Sequence, residues 1–263
     1  MNNLHTFVIC AYKESAFLED CIKSLLAQTV LSTLLLATST PNEYISALAE
    51  KYDIPLYINE GESGITGDWN FALSKAETPF ATIAHQDDVY EPTYTEEVLK
   101  KAQKYKKPLI AFTDYFEIRN GERVVKSGLL RIKRLMNVGF RLFKRNRFMR
   151  RRVLSLGCSI CCPSVTFCAA ARADFKFDKN FQCACDWDAW DRIAKKKGAF
   201  LYIAKPLTGH RIHEGSETTK LIANNVRAQE EYTMFRRYWP AFIARKLSGA
   251  YAKGADSNNL TKD

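Results

Sequence analysis

Residues 59–88 read NEGESGITGDWNFALSKAETPFATIAHQDD, and three signals follow one another in that stretch. GESGITG, residues 61–67, is a glycine-rich turn. Residues 66–76 continue as a helix, and residues 79–84, PFATIA, form a short apolar strand that runs straight into His85-Gln86-Asp87-Asp88. A buried strand that ends in polar side chains is the pattern of an open α/β sheet, in which ligands sit beyond the carboxyl ends of the strands. Asp87 and Asp88 are adjacent carboxylates that repel each other. A divalent cation on a diphosphate would relieve that repulsion, and hard oxygen donors suit Mg²⁺ or Mn²⁺. Taken alone, the pair reads more simply as a solvated turn capping the helix near Pro92.

The same alternation extends outward. Residues 5–12 (HTFVICAY) form a strand, and from Ser15 a helix places Phe17, Leu18, Cys21, Ile22, Leu25 and Leu26 on one stripe. Residues 31–37 and 55–58 are further strands, separated by a helix from Pro41 that carries Tyr44, Ile45, Leu48 and Ala49. A helix over 92–104 and a strand over 108–113 complete the series. Short buried strands alternating with amphipathic helices predict an α/β fold whose sheet is mainly parallel and covered on both faces.

The second half is less regular. Residues 115–125 read as a hairpin turning at Asn120-Gly121. Residues 164–169 are a strand, 186–197 a helix ended by Gly198, and 199–203 and 206–212 two short strands. Residues 220–246 are mostly helical with a break at Pro240, and the tail from about Lys253 is polar and loose.

Composition limits the alternatives. A chain of 263 residues with 46% hydrophobic and 26% charged residues excludes a wholly disordered protein. No apolar run is long enough to span a bilayer. MNNLHTFVICAYKES lacks the basic start of a signal peptide, so the expected address is cytoplasmic. Of the eight cysteines, six fall between 158 and 185, but without a histidine among them to complete a familiar zinc set; small buried thiols are the favoured reading. The net charge of +10 is concentrated in residues 131–152, RIKRLMNVGFRLFKRNRFMRRR, which hold ten Lys or Arg and no acid.

Two more motifs carry chemistry. CDWDAWDRIAKKKG, residues 185–198, gathers Asp186, Asp188 and Asp191 at a helix start, either as an acidic cap or with one carboxylate turned to a cleft as general base. GHRIHEGSET, residues 209–218, places His213 after a strand, either as a surface-loop histidine or as a metal ligand.

Taken in order, FVICAYKESAFLEDCIKSLLAQT, the stretch ending in HQDD, CDWDAW and HRIHEGS resemble the family 2 glycosyltransferases of the GT-A fold, over roughly residues 5–218. The resemblance implies a single GT-A-type nucleotide-binding domain over 1–218. Its nucleotide-sugar half is about 1–113 and its acceptor half about 114–218, followed by a C-terminal helical extension at 219–252 and a flexible tail at 253–263. It also implies site roles. Asp88, last in the aspartate motif, binds Mn²⁺ or Mg²⁺ on the donor diphosphate. Asp87 stands beside it on the nucleotide side, and Gln86 replaces the more usual acid. His213 is a metal ligand. Asp186 is the catalytic base, with Cys185 in place of the usual Glu. Ala11, Tyr12 and Glu14 line the nucleotide pocket. The second strand ends in Ala37-Thr38-Ser39-Thr40 rather than the usual acidic pair, which leaves Ser39 at the nucleotide. Asp68 stands where the pattern often has a basic residue and meets the base or ribose.

The implied activity is inverting transfer from a nucleotide-diphosphate sugar to a glycan or lipid-linked acceptor, in cell-surface polysaccharide or glycolipid synthesis. A pyrophosphorylase is disfavoured, because CAYKESAF lacks the glycine-rich loop such enzymes carry. The competing class is a nucleic-acid-binding or membrane-binding module built on 131–152. The apolar residues interleaved there suit an anionic membrane surface, such as the inner face of the plasma membrane, better than nucleic acid. A solvated helix packed on the domain explains the segment equally well. The replacements at Gln86, Cys185 and Ser39 also fit a catalytically inactive relative.

Overall fold

The computed structural model describes residues 4–213 and 226–255. In chain order the first elements are β1 (His5–Ala11), α1 (Leu18–Leu26), β2 (Thr33–Thr38), α2 (Glu43–Lys51), β3 (Leu56–Ile58), α3 (Ile65–Ser74) and β4 (Phe80–His85). β5 (Val89–Tyr90), α4 (Tyr94–Ala102), β6 (Pro108–Arg119), β7 (Glu122–Val124), α5 (Gly128–Leu142) and α6 (Arg147–Leu154) follow. The chain ends with β8 (Val165–Cys168), α7 (Ala169–Arg172), α8 (Cys185–Ala194), β9 (Ala199–Ile212), α9 (Val226–Arg236) and α10 (Ala241–Ala255). The expected helix start at 220–225, the GHRIHEGSET residues 214–218 and the tail residues 256–263 lie outside the described residues.

The strands form one sheet in the order β3-β2-β1-β4-β8-β6-β9-β5, with β7 hung on β6. From β3 to β4 every pairing is parallel, as the strand–helix alternation requires. The expected parallel arrangement holds there and again between β6 and β9. β8 runs antiparallel to both β4 and β6, and β5 antiparallel to β9, so the whole sheet is mixed. The excursion through β7, α5 and α6 returns the chain at the edge where β6 ended, and the next strand must then run back.

The two strands expected at 199–203 and 206–212 are one, β9, parallel to β6 throughout. The register slips where Ile203 faces Thr113 and Pro206 faces Asp114. A bulge accommodates the proline, which has no N–H to give the ladder. The hairpin turn expected at Asn120-Gly121 joins β6 to β7, both residues having positive φ, 49° and 83°.

Side chains alternate across β1. Phe7 and Ile9 pack with Leu18, Ile22, Ile45 and Val98 under α1, α2 and α4. Val8 points to the opposite core, which holds Ile83, Phe112, Phe140, Trp187 and Trp190. All eight cysteines are free, and burial pushes every thiol upward, so they are protonated packing residues.

The basic segment is divided by folding. Arg150 is fully buried and donates to the carbonyls of Lys144, Ala194, Lys196 and Gly198 at 2.8–3.2 Å. It closes the C-terminal end of α8, where carbonyls have no partners within the helix. Arg151 pairs with Asp191, Arg134 with Asp114, and Lys133 donates to the Tyr115 hydroxyl. Arg131, Arg141, Arg145, Arg147 and Arg152 are exposed. α9 and α10 pack across α8, with the Phe235 and Tyr251 rings on Trp187.

Arg150→Ala should therefore cost about 3 kcal/mol or more of unfolding free energy, since it leaves buried carbonyls unpaired and opens a cavity. Urea denaturation measures this; a loss below about 1 kcal/mol would show that the socket is not needed to hold α6 to α8.

Candidate active site

Parallel pairing lines up the carboxyl ends of β2, β1 and β4, and the turn after β4 leaves the sheet there. Gln86 bridges β4 to β1: its Oε1 accepts the Tyr12 N–H at 2.9 Å and its Nε2 donates to the Tyr12 carbonyl at 3.1 Å. Only an amide does both. A carboxylate accepts but cannot donate, which gives Gln86 a structural reason where the family pattern favours an acid.

Asp88 has no exposed surface. Its Oδ1 accepts the Arg211 N–H at 2.9 Å and lies 3.2 Å from His210 Nδ1, while its Oδ2 is 3.6 Å from His85 Nδ1. Asp87 meets His213 Nε2 at 3.0 Å, and its carbonyl accepts from Arg211 Nε at 2.9 Å. His213 thus lies against Asp87 rather than Asp88. The short β5–β9 pairing, Val89 opposite Gly209, is what brings β9 onto the aspartates. Gly209 permits that approach: a Cβ there would fall 2.6 Å from the Phe116 ring and 2.8 Å from Val89.

The charges answer one another. Burial pushes the Asp87 carboxyl up, but the hydrogen bond to His213 and the charges of His85 and His210 outweigh it and hold it below its ordinary value. Burial pulls His210 down, and the Asp88 carboxylate more than reverses this. His85 is lowered, mainly by burial. Its ring stacks on Trp69 at 5.0 Å, and its Nε2 is buried without a hydrogen-bond partner among the described residues.

His85, Asp87 and Asp88 present one donor atom each, all within 4.8 Å of one another. Two carboxylates and an imidazole fit a divalent ion, the nitrogen favouring Mn²⁺ over Mg²⁺. His85 was missed as a ligand in the sequence, although HQDD contains it.

On the nucleotide side, Asp68 begins α3 and is held from two strands. Ser39 Oγ donates to its Oδ2 at 2.9 Å and Asn59 Nδ2 to its Oδ1 at 2.8 Å. Ser39 and Asp68 are therefore neighbours, joined by Asn59, whose only sequence signal is its place after β3. Ala11 is buried at the end of β1, and Tyr12 and Glu14 are exposed beyond it. Lys13 between them has φ 54° and donates its N–H to Thr40 Oγ1 at 2.6 Å.

Across the cleft, α8 separates its three acids. Asp188 and Asp191 have no exposure and are paired, the first with Arg192 and Arg237, the second with Arg151 and Lys195. They are structural. Asp186 is half-buried; burial raises its pKa, and Oδ2 accepts from the Cys158 thiol at 3.6 Å. Burial, and then the Asp88 and Asp186 carboxylates, push the Cys161 thiol up, so this side chain lies near both acids. The loop before α8 is held by Glu230 of α9, which accepts the N–H groups of Gln182, Cys183 and Ala184 at 2.8 Å. Nothing local in the sequence marks Glu230 for that role.

The family model for glycosyl transferase family 2 matches residues 6–173. A comparison with curated proteins finds no match. Among solved structures, S. aureus TarS 1–349 in complex with UDP-GlcNAc aligns with a TM-score of 0.66 at 14% identity, covering 97% of this chain and 73% of that one. Its complex with UDP gives 0.64 at 12% identity, covering 97% and 72%. The longer TarS structure gives 0.62 at 12% identity, covering 93% of this chain and 42% of that one. At these identities the likeness is one of fold.

The raised His210 pKa predicts a pH dependence. A histidine favoured as the cation in the folded state contributes stability that is complete below its unfolded pKa, about 6.5, and is lost as pH rises through the higher folded value. In metal-free buffer, unfolding free energy should fall over that window, and His210→Gln should flatten the fall. An unchanged slope in the variant would dissociate His210 from Asp88.

Proposed function

The chain belongs to glycosyl transferase family 2 and is a glycosyltransferase, and on that premise we propose that it moves a sugar from a nucleoside-diphosphate sugar to an acceptor hydroxyl with inversion. The observation that carries this reading is the group His85, Asp87 and Asp88 after β4, which could hold a divalent ion, with the half-buried Asp186 at the start of α8 as the base. The TarS structures named for UDP and UDP-GlcNAc support a nucleotide-sugar donor.

The residues divide the work. Asp68, with Ser39 and Asn59 fixing both of its oxygens, offers acceptors to the N–H and O–H groups of the nucleoside. Ala11, Tyr12 and Glu14 border that pocket from the end of β1. His85, Asp87 and Asp88 would hold Mn²⁺ or Mg²⁺, and His213 orients Asp87. When bound, such an ion neutralises charge developing on the leaving group. Asp186 takes the proton of the acceptor hydroxyl, and its raised pKa makes it a better base than an exposed carboxylate. One carboxylate is enough, because a diphosphate leaves without being protonated.

The acceptor is a glycan or lipid-linked sugar in cell-surface polysaccharide or glycolipid synthesis, met at the cytoplasmic face of the plasma membrane. The exposed arginines of 131–152 support that placement. Among the described residues no helix is long and apolar enough to cross a membrane.

Two substitutions test the assignment. Asp186→Asn should leave donor affinity within about twofold and lower kcat by about 10²-fold or more, read by steady-state kinetics and calorimetry. Collapse of donor binding with turnover per bound donor preserved would make Asp186 a binding residue. Asp88→Asn, which keeps an acceptor for the Arg211 N–H where alanine would not, should abolish the Mn²⁺-dependent gain in nucleoside-diphosphate affinity. A folded variant that keeps the gain overturns the metal assignment.

A further inference from the structure

Helix α5 is apolar on its outer face as well as on its inner one. Its inward face carries Leu130, Asn137 and Phe140 together with Lys133 on the Tyr115 hydroxyl and Arg134 on Asp114. Its outward face is apolar: Ile132 is 59% exposed, Leu135 75%, Val138 41% and Leu142 68%, at spacings of three, three and four residues. Phe143 and, from α6 and the turn after it, Phe148 and Leu156 are exposed as well. Arg131, Arg141, Arg147 and Arg152 on the same two helices, and Arg145 in the turn between them, are exposed, with no acid between 131 and 152. A water-facing helix has the opposite arrangement.

We propose that this face docks on an anionic lipid bilayer, with α5 in the plane of the interface. Leucine and phenylalanine enter the boundary between head groups and acyl chains while arginine heads reach the lipid phosphates. The charge pattern selects this occupant. A symmetric contact with a second copy would set five arginines against the same five. A nucleic-acid backbone would satisfy the arginines and leave Leu135, Leu142 and Phe148 in water. The inward face of α5 borders the cleft, since Tyr115, which Lys133 holds, lies 6.3 Å by ring centroid from His210. Docking therefore turns the acceptor side of the cleft toward the membrane, as a lipid-carried acceptor needs. That last step rests on the function proposed above; the docking itself does not.

The full chain is sedimented with phosphatidylcholine vesicles, with and without about 30% phosphatidylglycerol, at low and high salt. Wild type should pellet with anionic vesicles at least 10-fold more than with neutral ones, and salt should release it. Leu135→Glu/Leu142→Glu should lower partitioning at least 10-fold with the thermal unfolding midpoint unchanged. Arg131→Gln and Arg141→Gln should each lower it about fivefold. Wild type left in the supernatant at low salt overturns the proposal. So does a folded double-Glu variant that pellets like wild type, or RNA retardation that vesicles fail to compete. Nucleoside-diphosphate binding is measured on the same samples: its absence with vesicle binding intact defeats the enzyme reading and leaves the docking face standing.

Discussion

Asp88 carries a carboxylate where water does not reach, and the far half of the sheet is arranged around it. An unpaired charge at that depth would cost several kcal/mol, so partners are obligatory. They come from Arg211 and His210, at the end of a 14-residue strand that must pass β5 in the correct register. A slip of one residue would turn His210 to the opposite face. The bare Cα of Gly209 lets that strand end approach the carboxylate, and the bulge opposite Asp114 accommodates Pro206 on the way.

The acceptor side answers a similar demand. The two buried acids of α8 each collect at least two cations, Arg237 reaching both, which leaves Asp186 as the half-buried acid of that helix. Cys185, at the position where the family pattern has Glu, is almost fully buried. A second carboxylate there would be another charge without water. The N–H groups just ahead of it are taken by Glu230 instead, from a helix outside the matched family region. α9 and α10 are in this sense part of the framework that holds α8: they cover Trp187 and fix the start of that helix.

What was legible in the sequence follows from the range of the interactions involved. β1 to β4 and their helices announce themselves because each is written in its own periodicity, and the HQDD and CDWD motifs because they sit where such elements end. β8 was placed in sequence, but its antiparallel direction depends on where a 40-residue excursion returns. The gap between 203 and 206 looked like a strand boundary because a bulge and a loop share the same residues. His85, Asn59 and Glu230 acquire roles only through partners on other elements, and composition alone does not separate a buried Arg150 from an exposed Arg152.

The distance along the chain between Asp88 and its partners has a consequence in time. Arg211 lies 123 residues downstream, whereas β1 and β3 pair with β2, close by in the sequence. Contacts of such separation close late, after loop entropy has been overcome. On the ribosome β1 to β5 emerge first, and Asp88 lacks Arg211 and His210 until β9 has been synthesised and threaded between β6 and β5. That corner of the sheet is thus completed last, and a half-made molecule has the parallel strands without the partners that keep the Asp88 charge buried.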